Sequence, residues 1–80
     1  MAVAIATVTK NGGLVRNADV SWYTCDSEIK VGECTTGPSG QCYVLIPDGD
    51  YVATAETEFG DSGSSKCKAY HGVGTVEIDL

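Results

Sequence analysis

Between Thr35 and Ala55 the chain reads turn, strand, turn, strand. Gly37-Pro38-Ser39-Gly40 precedes the run Gln41-Cys42-Tyr43-Val44-Leu45-Ile46, and Pro47-Asp48-Gly49-Asp50 precedes Tyr51-Val52-Ala53-Thr54-Ala55. The turn residues bend the backbone by themselves: glycine tolerates a positive φ, proline fixes a negative one, and aspartate bonds its own main chain. The runs between them are β-branched and aromatic, residues that fit a pleated, half-buried surface. Such punctuation yields short antiparallel strands, and no window of about eleven residues carries helical periodicity.

The same signals recur at Asn11-Gly12-Gly13 and Gly60-Asp61-Ser62-Gly63. Seven strands are expected, at 2–9, 18–25, 31–36, 41–46, 51–57, 65–70 and 75–80. Eighty residues make one domain. The expected fold is all-β: a small, seven-stranded antiparallel β-sandwich of Greek-key type over residues 1–80. Alternation assigns the faces. Val8, Val15, Val20, Trp22, Val44, Ile46, Tyr51, Val76 and Ile78 are the expected core. Trp22 is its largest piece, and its indole N–H needs a partner.

Three segments resemble carboxypeptidase regulatory-like domains. They are Lys10-Asn11-Gly12-Gly13-Leu14-Val15-Arg16-Asn17-Ala18-Asp19-Val20, Thr36-Gly37-Pro38-Ser39-Gly40-Gln41 and Ile46-Pro47-Asp48-Gly49-Asp50-Tyr51-Val52-Ala53. The shared pattern is a Gly-containing first turn, an Ala-x-Val strand, a Gly before the central strand, then Pro-x-Gly-x-Tyr. It covers roughly Ala6 to Ala55, judged by pattern. The resemblance implies a prealbumin-like (transthyretin-like) sandwich, related in shape to Cna B-type repeats. It also implies a non-catalytic module of a secreted, cell-surface or virion protein. A fold leaves function open, and the four cysteines depart from the family pattern.

Four cysteines allow three pairings. If Val20 and Trp22 face inward, Cys25 faces outward. If Pro38-Ser39 is a hairpin tip, Thr35 lies opposite Cys42, and Cys34 falls on the other, outward face. Cys42 shares a face with Val44 and Ile46, and Cys67 lies between Lys66 and Lys68, so both point inward. Parity therefore predicts two disulfides, Cys25–Cys34 and Cys42–Cys67. Free thiols are the alternative in a reducing compartment. The intervening spacings of 8, 7 and 24 residues do not form the two close pairs of a structural zinc site. No Cys-x-x-Cys pair marks a redox centre.

A net charge of −6 disfavours nucleic acid and anionic lipid, which need a basic surface. No apolar run reaches membrane-spanning length. Residues 1–8 lack the basic region and cleavage site of a leader, so the expectation is either a leader already removed or release by lysis, as for a virion protein. Nothing points to an enzyme. His71 is the only histidine, and the serines at 62, 64 and 65 sit in no nucleophile-elbow pattern. Asp48, Asp50 and Asp61 fit turn chemistry better than a calcium loop. Glu56 and Glu58 lack the deep cleft of a glycosidase. Lys10 has no asparagine on the last strand with which to form the isopeptide bond of Cna B-type domains. No catalytic residue, metal or cofactor is expected.

Two functional expectations remain. With Val8 inward, Val3 and Ile5 lie on the opposite face of an N-terminal strand that is apolar on both sides. Such a strand is central, is a simple edge strand with scattered apolar residues, carries a register-resetting bulge, or is covered by another chain. The first expectation makes residues 1–9 a candidate assembly strand that extends a neighbour's sheet through Val3 and Ile5. The protein would then be a structural element of an extracellular object, such as a virion surface (capsid decoration) or a surface filament. Its partners would be copies of itself or a larger protein assembly. The alternative is a monomeric binding module, secreted or on a cell surface. It would recognise a glycan or protein through loops 26–33 and 58–65, with Tyr43, Phe59 and Tyr70 as anchors.

Overall fold

The computed structural model describes residues 1–80. It contains eight strands and no helix: β1 (Ala2–Lys10), β2 (Gly13–Leu14), β3 (Asp19–Thr24), β4 (Lys30–Thr35), β5 (Gln41–Ile46), β6 (Gly49–Glu56), β7 (Ser62–Ala69) and β8 (Val73–Asp79). All seven expected strands are present, and the two-residue β2 is added. Asn11 and Gly12, both at positive φ, make the tight turn between β1 and β2.

The strands form two four-stranded sheets. Sheet B has the order β4-β3-β6-β7 and is antiparallel throughout. In sheet A, β1 is the inner strand. It runs antiparallel to β5 and β2 and parallel to β8. The wholly antiparallel expectation is corrected by this β1–β8 pair. Alternation fixes which face a side chain takes, but it carries no information on the direction of a neighbouring strand.

The inner faces of both sheets share one core. Ala2, Ala4, Ala6, Val8 and Ile46 of sheet A, with Val76 and Ile78, pack with Val20, Trp22, Tyr51, Ala53 and Ala55 of sheet B. Seven of the nine expected core residues are buried, and Val15 and Val44 pack against them. Alanines dominate the inner faces of β1 and β6, and Trp22 supplies bulk. The indole N–H of Trp22 has no hydrogen-bond partner, contrary to expectation. The Tyr51 hydroxyl donates to the Pro47 carbonyl, which ties the β5–β6 turn to the strand that follows it.

On both sides of the molecule the edge strands of the two sheets lie close together without pairing into a ladder. On one side β4 lies beside β5. The residues between them carry the chain from sheet B to sheet A instead of folding a hairpin. Thr36 fixes this crossing: its buried hydroxyl accepts from the Ala18 N–H at 2.9 Å and donates to the Val15 carbonyl at 2.8 Å. On the other side a tight turn at His71 and Gly72, both at positive φ, passes the chain from β7 to β8.

The cysteines follow this topology, and the two expected disulfides are corrected. One disulfide joins Cys34 to Cys42 with Cα atoms 5.8 Å apart, while Cys25 is free and exposed and Cys67 is free and buried. Cys42 and Cys67 point inward and Cys25 outward, as expected. Cys34 does not: it pairs across the ladder with Val20 and packs against the core. The outward placement rested on β4 and β5 being hairpin partners. They belong to different sheets, so Cys34 and Cys42 face each other across the interior and staple sheet B to sheet A.

Candidate functional site

The outer face of sheet A is ordered in cross-strand rows by the register of β8, β1 and β5. Val73, Val3 and Leu45 form the first row, and Thr75, Ile5 and Tyr43 the second. Glu77, Thr7 and Gln41 form the third, and Asp79, Thr9 and Leu14 the fourth. The polar rows are bonded sideways: the Gln41 amide donates to the Thr7 hydroxyl at 3.1 Å, and the Thr9 hydroxyl donates to Asp79 at 3.0 Å. The first two rows hold no charge. Tyr43, Leu45 and Val73 keep 67%, 63% and 52% of their surface in solvent, and Val3 and Ile5 lie half-buried between them. Neighbouring apolar side chains in register make a patch, which is different from scattered surface hydrophobics.

Val3 and Ile5 are thus on an outer face, and β1 is paired on both sides. Strand donation through residues 1–9 is corrected, because it needs an unpaired backbone edge that β1 lacks. What the strand offers is side chains.

The outer face of sheet B is polar. Ser21, Thr54 and Ser64 form one row across β3, β6 and β7. Tyr23 and Val52 lie on one side of that row, and Asp19 and Glu56 on the other. All of these but Asp19, together with Thr24 at the end of β3 and Cys25 and Glu28 of the β3–β4 connection, line an open trough of about 700 Å³. At its margin Lys30 donates to Glu33 at 2.8 Å. This contact holds the Glu33 carboxyl below its ordinary value and the Lys30 ammonium above its own.

The loop anchors are not brought together. Phe59, 85% exposed, lies in the β6–β7 turn, and Tyr70 follows the far end of β7. The eight residues of β7 separate them, roughly 25 Å of extended chain. Tyr43 lies on sheet A, away from both loops. Residues 30–33 and 62–65 of the two expected loops belong to β4 and β7. At the Tyr70 end, partial burial and the nearby Asp50 raise the phenol's pKa.

The residues considered for catalysis are dispersed as well. His71 is exposed on the β7–β8 turn, whereas Ser62, Ser64 and Ser65 lie along β7. Asp61 is at the opposite end of the molecule from Asp48 and Asp50, where its carboxylate meets Lys10 at 2.6 Å. No group of three or more His, Cys, Asp or Glu residues converges as metal ligands. No helix is long and apolar enough to cross a membrane. No protein-family model matches the chain, and no curated protein matches it.

Proposed function

We propose that this protein is a non-catalytic structural component of an extracellular object, a coat or filament built from repeated copies. In this reading the two sheets make a prealbumin-like β-sandwich, and the outer face of sheet A is the contact between copies. The observation that carries the reading is the uncharged patch of Val3, Ile5, Tyr43, Leu45 and Val73, set in register on a solvent-facing sheet. A sheet with one wet face normally turns polar residues to it, as Glu77, Thr7 and Gln41 of the third row and Asp79 and Thr9 of the fourth do here. A surface free of charge also lets copies of a chain with net charge −6 meet without opposing like charges there. A disulfide fits an oxidising compartment.

Two rows across three strands make a footprint of a few hundred Å² by strand spacing. That is below the roughly 800 Å² per partner of a stable pairwise interface. Each contact is therefore weak, and repetition supplies the strength. Sedimentation from micromolar to millimolar concentration tests this. The wild type should gain mass reversibly above 8.3 kDa. Leu45→Glu and Tyr43→Glu, at exposed positions, should remain monomeric with unchanged melting temperature. A wild-type chain that stays monomeric throughout would overturn self-assembly.

A further inference from the structure

We propose that the trough on the outer face of sheet B binds a neutral oligosaccharide. The inference is independent of the sheet A contact, since the two surfaces lie on opposite sides of the core. The trough lies open along the sheet surface and is not an enclosed pocket. The chemistry of the lining selects the ligand class. Tyr23 and Val52 are neighbours across the ladder and offer a flat apolar platform for the carbon face of a sugar ring. Beside them the row Ser21, Thr54 and Ser64 presents three hydroxyls that both donate and accept. Of these, Thr54 is engaged only in a long 3.4 Å contact with the Ser21 carbonyl, and the Ser21 and Ser64 side chains have no protein partner.

Glu56 and Glu28 add acceptors suited to sugar hydroxyl donors. Both charged residues of the lining, Glu28 and Glu56, are carboxylates and disfavour phosphates, sulfated sugars and uronates. The cations stand at the margin, Lys30 bonded to Glu33 and Lys66 beside Val52, and the heparin fragment tests whether they recruit an anion instead. An extended peptide is less suited, because it would leave the hydroxyl row without the alternating pockets that side chains need. Glu28 is a non-glycine residue at φ +54°, held by the Glu28 N–H donating to the Thr24 carbonyl at 3.0 Å. The chain keeps a carboxylate here where glycine would be relaxed. Cys25 supplies a built-in reporter, as the one exposed thiol and part of the lining.

The test is amide chemical-shift titration with cellohexaose, laminarihexaose, maltohexaose and chitohexaose. A heparin hexasaccharide and a Thr-Val repeat peptide serve as the other occupants. At least one neutral hexamer should saturate shifts at Ser21, Tyr23, Thr54 and Ser64 in the millimolar range or tighter, and should slow maleimide labelling of Cys25. Tyr23→Ala should weaken that binding about tenfold or more, as loss of an aromatic anchor does. Glu56→Gln, at an exposed position, covers the case in which Tyr23→Ala fails to fold, and should weaken binding several-fold with melting unchanged. Glu28→Gly should raise the melting temperature and weaken binding together. Absence of shifts with all four neutral hexamers, shifts confined to residues outside the trough, or binding of the heparin fragment or the peptide alone would overturn the proposal.

Discussion

At Gly74 a Cβ would fall 2.7 Å from both the Ala69 Cα and the Lys68 carbonyl oxygen. Both obstacles are main-chain atoms of β7, so no rotamer change relieves the clash, and β8 must move away. Gly74→Ala is expected to cost about 1–3 kcal/mol, the usual penalty of overpacking, read as a lower urea midpoint with unchanged slope. Two buried acids give a second residue-scale prediction. Burial holds the Cys67 thiol above its ordinary 9.0, and burial followed by the Asp48 charge holds the Tyr51 phenol above 10.0. Each is neutral when protonated. Below pH 9.0 folded and unfolded chains carry these protons alike, and the full stabilisation is present. As pH rises past 9.0 and then 10.0 the unfolded chain ionises first, so stability is lost until each group ionises in the folded protein too. Urea midpoints should be level near neutrality and fall in alkali, and Cys67→Ala should remove the lower-pH part of the fall.

At the level of elements, the Cys34–Cys42 staple joins an edge strand of each sheet. Closing so short a loop restricts the unfolded chain by about 2.5 kcal/mol. The double variant Cys34→Ala with Cys42→Ala should lose at least that much in denaturant titration, because both positions pack with the core and the loop constraint is lost with them. Strand positions were legible in the sequence because alternation is local: Val76 and Ile78 against Glu77 and Asp79 needs only four neighbours. The faces of Cys25, Cys42 and Cys67 followed from the same rule. Cys34 escaped it because its placement depended on whether 36–40 makes a hairpin or a crossing. Gly-Pro-Ser-Gly chemistry serves both. The buried Thr36 hydroxyl, which decides for the crossing, looks in sequence like any threonine at a strand end. The apolar patch was half legible. Val3 and Ile5 stood out from alternation, but their company with Tyr43, Leu45 and Val73 exists only through register between distant strands. The trough had no local signal, since Ser21, Thr54 and Ser64 are separated along the chain and polar in an ordinary way.

For the molecule as a whole, the two sheets present opposed surfaces of contrasting character around a small core. Leu45→Glu should leave saccharide-induced shifts intact, and Glu56→Gln should leave sedimentation unchanged. If either variant changed both readouts, the surfaces would not be independent. Deleting residues 2–6 is an unsuitable probe of assembly, because β1 is the inner strand of sheet A and its removal takes Ala2, Ala4 and Ala6 out of the core. The same central position has a kinetic consequence. Thr9 meets Asp79 across 70 positions of sequence, so the innermost strand of sheet A lacks one neighbour until β8 has been synthesised. Local hairpins cannot complete that sheet. The final closure is a long-range event that bears its loop entropy before its reward, so the chain should fold slowly for its size. Until β8 docks, a nascent chain would carry β1 with an open edge and the apolar side chains Val3 and Ile5 beside it. During that interval it is most prone to pair with the wrong neighbour.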